Sequence, residues 1–90
     1  MTDVIDNKAK RRFELNVEGH IAAAYYAIAG NVMTFTHTEV PKELEGKGIA
    51  SKLIKGALDQ VRARELKVIA QCPFVHAYME KHPEYNDLLK

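Results

Sequence analysis

Val40-Pro41-Lys42-Glu43-Leu44-Glu45-Gly46-Lys47-Gly48-Ile49-Ala50 is the stretch on which the fold turns, because the period of the apolar residues changes across it. On its N-terminal side, Val32 to Val40 alternates, with Met33, Phe35 and His37 expected on one face and three threonines on the other. On its C-terminal side, Ile49, Leu53, Ile54, Ala57, Leu58 and Val61 recur at helical spacing, while Lys52, Lys55, Asp59 and Arg62 fall on the opposite face. Lys67 to Cys72 then carries Val68, Ile69 and Ala70, as a buried parallel strand does. Strand, helix and strand make a βαβ unit, whose crossover is right-handed.

Working outward, Phe13, Leu15 and Val17 alternate with Glu14 and Asn16 and predict a strand. Glu18-Gly19-His20 offers a tight turn. Ile21 to Ala29 follows as a second strand, although its alanines also permit a helix. Gly30-Asn31 suits a hairpin. Downstream, Pro73 fits the first position of a helix running to about His82, which ends at His82-Pro83 because the residue before a proline avoids helical geometry. The expected architecture is α+β, in the order β-β-β-α-β-α: an antiparallel meander with one parallel strand pair. Residues 1–10 are expected as a flexible N-terminal tail and residues 11–90 as a single domain.

The 90 residues are 47% hydrophobic and 28% charged, the balance of a folded globular chain. Thirteen basic residues against twelve acidic ones leave a formal charge of +1, which gives no electrostatic case for nucleic acid or membrane as partner. Cys72 is the one cysteine, so an internal disulfide is impossible, and with no signal peptide or long apolar run a cytoplasmic location is expected. His20, His37, His76 and His82 show no metal spacing, and no metal is expected.

The loop from Glu45 to Ala50 has two readings. It can simply reverse the chain and start the helix. It can also receive an anion, since amides at a helix N-terminus point outward with the helix dipole behind them and glycines keep Cβ atoms out of the way. It is not a Walker loop, and the third glycine of a dinucleotide fingerprint would fall on Ser51.

With strand, loop, helix and strand in this order, the segment resembles the central motif of the GCN5-related N-acetyltransferase (GNAT) family, whose core is [QR]-x-x-G-x-[GA]. Gly48 matches its glycine, Ala50 its final small residue, and Val40 the valine closing the preceding strand. The likeness spans roughly residues 32–85 and implies acetyl-CoA as cofactor. It also implies that Glu45, Gly46, Lys47, Gly48, Ile49, Ala50 and Ser51 hold the coenzyme A pyrophosphate through their amides, and that Thr38, Glu39 and Val40 pair with the pantetheine arm. Glu45 departs from the pattern, standing where the family usually has Gln or Arg, so it is expected to point its side chain away or to bind through its backbone alone. Tyr78-Met79-Glu80-Lys81-His82 resembles the family's helical tyrosine stretch, which implies Tyr78 as the acid that protonates the departing thiolate. The alternative for Tyr78 is a ring packed under the sheet.

Cys72-Pro73 places a thiol at a parallel strand end and beside a helix N-terminus, which favours thiolate. Cys72 is therefore a candidate nucleophile or acyl contact, with core packing as the plainer alternative. His76, four residues on, and His37, on the neighbouring strand, are the candidate bases, each with a structural alternative. Family members usually carry two helices between their first two strands and further strands at the end, pieces that build the acceptor site. Glu18-Gly19-His20 leaves no room for such helices. Three functions follow: an N-acetyltransferase for an amine acceptor unknown from sequence, a coenzyme A or acyl-CoA binding module without catalysis, and a small protein-interaction domain.

Overall fold

The computed structural model describes residues 4–90. Strands β1 (Ile5–Asn7), β2 (Arg12–Val17), β3 (His20–Ala29) and β4 (Val32–Glu39) form an antiparallel meander. Helix α1 (Ile49–Ala63) crosses to β5 (Lys67–Ala70), which pairs in parallel with β4 in a sheet of order β1-β2-β3-β4-β5. Helix α2 (Pro73–Lys81) follows, then a 3-10 segment over Pro83–Leu88. The expected α+β fold is observed, with its single parallel pair where the period of the sequence changes.

One face of the sheet carries the core. Phe13 and Leu15 of β2 lie opposite Ala24 and Ala22 of β3, and all four are buried. The alanines that left a helix open in the sequence are small because α1 packs on them, and tertiary packing settles the strand. Helix α1 buries Ile49, Leu53, Ile54, Ala57, Leu58 and Val61 in the same cluster as Met33, Phe35, Val68, Val75 and Met79. Each large apolar side chain contributes about 1.5–3 kcal/mol on burial. Among the described residues the other face carries no helix.

Two expectations are corrected. The tail expected over residues 1–10 is an edge strand from Ile5, while residues 1–3 lie outside the described residues. Ile5–Asn7 is too short and polar to signal a strand. It is held instead by distant partners, since Asp6 accepts from the Tyr26 hydroxyl at 2.5 Å and from Arg64 Nη1 at 2.7 Å. Gln60 Nε2 also donates to the Val4 carbonyl at 2.7 Å. The second correction concerns β4. Tyr25 pairs with His37 but Tyr26 pairs with Phe35, so Thr36 is an extra residue and the strand bulges there. The bulge reverses the alternation: Met33 and Phe35 face the core, but His37 turns to the open face and Thr38 turns inward.

Gly56 shows how tightly β1 is clasped. A Cβ built there would lie 2.7 Å from the Val4 Cβ, closer than carbon atoms approach. Gly→Ala in a helix ordinarily gains about 1 kcal/mol, whereas overpacking costs about 1–3 kcal/mol. Gly56→Ala should therefore lower stability in a denaturant titration. It should also speed hydrogen exchange at Ile5–Asn7 more than elsewhere, and a gain in stability would show that Val4 does not pack there.

Candidate functional site

The site begins where β5 stops. Its pairing with β4 runs from Lys67↔Val32 to Ala70↔Phe35, and the last backbone bond is from the Cys72 amide to the Phe35 carbonyl at 2.8 Å. Pro73 then opens α2, and with no N–H and a fixed φ it cannot continue the ladder. Strand β4 outruns its partner, so Thr36 to Glu39 is hydrogen-bonded to β3 alone. The edge turned toward β5 is left free of sheet pairing.

That edge leads into the glycine loop. Pro41–Leu44 closes on itself through the Leu44 amide to the Pro41 carbonyl, and Gly46 and Gly48 adopt φ of +80° and +71°. Gly48 is the N-cap of α1 and offers no side-chain acceptor, and no acidic residue occupies the first turn. The amides from Gly46 to Ser51 find no acceptor among the described residues. A cap or carboxylate normally satisfies these groups, so the positive end of α1 is uncompensated. Space beside both glycines is open. The loop is braced from the β2–β3 turn, where Glu18 pairs with Lys47 at 3.6 Å and His20 with Glu43 at 3.8 Å. Glu45 is exposed and lines a cleft of about 620 Å³ with Ile21, Thr38, Glu39, Val40 and Pro41. Lys55 is engaged with Asp59 at 2.9 Å, as a residue of a wet helix face is.

Cys72 is 3% exposed and its Sγ lies 3.2 Å from Thr38 Oγ1, so its polar neighbour is the threonine that the bulge turns inward. Neither candidate base meets it. His76 pairs with Glu80 at 3.6 Å on the exposed side of α2, and His37 lies on the far face against Glu39 at 3.1 Å. Tyr78 packs into the core with its ring stacked on His82, centroids 4.0 Å apart, yet its hydroxyl has no hydrogen-bond partner among the described residues and is not a sealed atom. Burial, opposed by nearby Lys55, raises the Tyr78 pKa and keeps the phenol protonated. Sequence reasoning missed Thr38 as the thiol's neighbour and Tyr25 as the neighbour of His37. Both follow from the bulge, which has no signature in the residue pattern.

The comparisons bear on this geometry. The sequence profile described as GCN5-related N-acetyl-transferase matches residues 12–88. The chain belongs to that family. Protein NATD1 of Mus musculus is 32% identical over 80 residues, covering 86% of this chain and 73% of the relative. Protein NATD1 of Danio rerio is 31% identical over 84 residues, with 88% and 76% covered. The NMR solution structure of a GCN5-like protein from Staphylococcus aureus is similar throughout, with a TM-score of 0.73 at 29% identity, covering all of this chain and 91% of that one. As a GNAT-related domain, the chain shows its family's strand-loop-helix order, but its first two strands are β1 and β2, joined only by Lys8–Arg11. The point at which family members carry extra helices is therefore this turn, not Glu18-Gly19-His20. Among the described residues no group of His, Cys, Asp and Glu could hold a metal, and no helix is long and apolar enough to cross a membrane.

The tyrosines set the alkaline limit of this fold. Tyr26 is pushed up to about 12 by burial and by its bond to Asp6, and Tyr78 and Tyr85 are raised chiefly by burial. The folded state holds these protons more firmly than the unfolded chain, whose phenols release them near 10.0. Their stabilisation is therefore complete below pH 10 and is lost as pH climbs toward 12. Denaturant midpoints measured between pH 9 and 11.5 should fall, and Tyr26→Phe should flatten that fall.

Proposed function

We propose that the chain binds acetyl-CoA along the free edge of β4 and transfers its acetyl group to an amine. The observation that carries this reading is the continuity of two unsatisfied surfaces: the β4 backbone beyond Phe35, and the amides from Gly46 to Ser51. An amide-bearing arm ending in a pyrophosphate needs such a pair of surfaces in this order. Acetyl-CoA would supply an activated thioester as acyl donor.

The chain's own residues then divide the work. The backbone of Thr38, Glu39 and Val40 pairs with the arm. The amides of Gly46 to Ser51 hold the phosphates, whereas the Glu45 amide is already bonded to the Lys42 carbonyl at 3.2 Å and Glu45 lines the cleft beside Ile21. Tyr78, kept protonated by burial, gives its proton to the departing thiolate. His37 takes the proton that the amine nitrogen loses as its bond to the acetyl carbon forms. Acid and base lie on opposite faces of the sheet, Tyr78 among the core residues and His37 on the open face. Cys72 has no base within reach, which favours direct transfer over an acetylated thiol.

Two measurements check this. In an NMR titration with acetyl-CoA, the amides of Gly46, Gly48 and Ala50 should move more than those of Phe13 and Leu15. Gly48→Val should abolish those shifts, since a β-branched residue is strained at φ +71° and its side chain would occupy the open space before the helix. Unchanged spectra at millimolar ligand refute the site. Mass spectrometry after incubation with acetyl-CoA should find Cys72 unmodified, and Cys72→Ala should keep transfer. A stable acetyl group on Cys72, lost together with turnover in Cys72→Ser, would instead establish the covalent route.

A further inference from the structure

The face of the sheet away from the helices carries a continuous hydrogen-bonded chain of side chains across four strands. Asn7 Nδ2 donates to Glu14 Oε2 at 3.1 Å, and Arg12 Nε donates to the same oxygen at 2.5 Å. Arg12 Nη1 donates to the Tyr25 hydroxyl at 2.8 Å, and that hydroxyl donates to Glu39 Oε1 at 3.4 Å. The other Glu39 oxygen, Oε2, lies 3.1 Å from His37 Nε2. The Tyr25 ring also stacks on the His37 imidazole, centroids 5.7 Å apart and planes 29° from parallel.

Cross-strand pairs of this kind commonly do no more than stabilise a sheet. Three features set this chain apart. Tyr25 touches every later member: it accepts from Arg12, donates to Glu39 and stacks on His37. The carboxylate of Glu39 turns one oxygen to each partner, so the His37 atom nearest to it is Nε2, and Nδ1 has no partner among the described residues. The hydrogen bond from His37, and then that from Tyr25, hold Glu39 below its usual carboxylate range. Finally, the chain ends beside Thr36, at the start of the free β4 edge, on the face that carries no helix among the described residues.

We propose that Tyr25 is the positioning residue for His37, fixing through Glu39 the imidazole tautomer that presents Nδ1 to an acceptor amine arriving over the open face. This rests on the transferase reading above. The amine's proton passes to Nδ1 as its nitrogen bonds to the acetyl carbon. The carbon–sulfur bond breaks with its electron pair left on sulfur, and Glu39 balances the imidazolium until water removes the proton. Arg12, fixed by Glu14, keeps the Tyr25 hydroxyl aimed at Glu39 rather than at solvent.

The test uses the whole chain with spermidine, Nα-acetyl-lysine amide and phenethylamine as probe acceptors, and measures acetyl-CoA affinity separately. His37→Ala should lower kcat about a hundredfold and Tyr25→Phe about tenfold, both with unchanged acetyl-CoA affinity. In the His37→Ala background, Tyr25→Phe should cost nothing more, because a residue acting through another has no effect once that one is gone. Independently of turnover, ring 15N shifts should show His37 protonated at Nε2 and free at Nδ1, and should move toward an averaged mixture in Tyr25→Phe and Glu39→Gln. Full activity in Tyr25→Phe, or the same loss in both backgrounds, overturns the proposal and leaves the transferase reading standing. Binding of acetyl-CoA with no transfer to any probe amine overturns both.

Discussion

Strand β5 ends because proline follows it, and the candidate site is built on that ending. The Cys72 amide makes the last bond to β4, and the next residue has no N–H to give and a φ already set for a helix. A sheet ordinarily satisfies both edges of an inner strand, yet β4 runs on with one edge paired and the other free. The crossover through the glycine loop brings the N-terminus of α1 after the end of that free edge. Backbone donors and acceptors of β4 and unsatisfied amides of the loop therefore form one continuous surface, and the position of Pro73 sets where it begins.

The bulge at Thr36 decides which side chains look onto that surface. Strict alternation would put His37 with Phe35 in the core and Thr38 outside. One additional residue exchanges them, so that Thr38 reaches the thiol of Cys72 and His37 joins Tyr25 and Glu39 in the open. The inserted residue costs one pair in the β3–β4 ladder. It leaves His37, a candidate base, on the open face with Tyr25 and Glu39, whereas Tyr78 packs among the core residues.

Much of this was legible in the residues. The change of period at Pro41–Gly48, the apolar stripe of α1 and the Pro73 start of α2 are local signals, and each matches the fold to within a residue or two. The glycine loop was also legible, because φ near +70° is needed at Gly46 and Gly48. What could not be read is what depends on distant partners. Strand β1 exists because Asp6 meets Tyr26 and Arg64, and nothing in Ile-Asp-Asn announces this. The bulge has no glycine or proline to mark it, so the faces of His37 and Thr38 were exchanged. The pairing of Cys72 with a threonine and of His76 with Glu80 follows from the same geometry.

The two rims of the sheet show a further consequence of this layout. At one rim β1 is only three residues long and adjoins Lys8, Lys10 and Arg11. At the other, Leu89 bridges Val68 and the Lys90 amide donates to the Val68 carbonyl at 3.0 Å, covering the outside of β5. Both rims are poor templates for a foreign strand, by shortness and charge at one and by a self-made patch at the other. The longest hydrogen-bonding edge left available lies inside the sheet, at Thr36–Glu39. The fold thus guards against edge-to-edge aggregation, because the free stretch at Thr36–Glu39 lies inside the sheet and not on a rim.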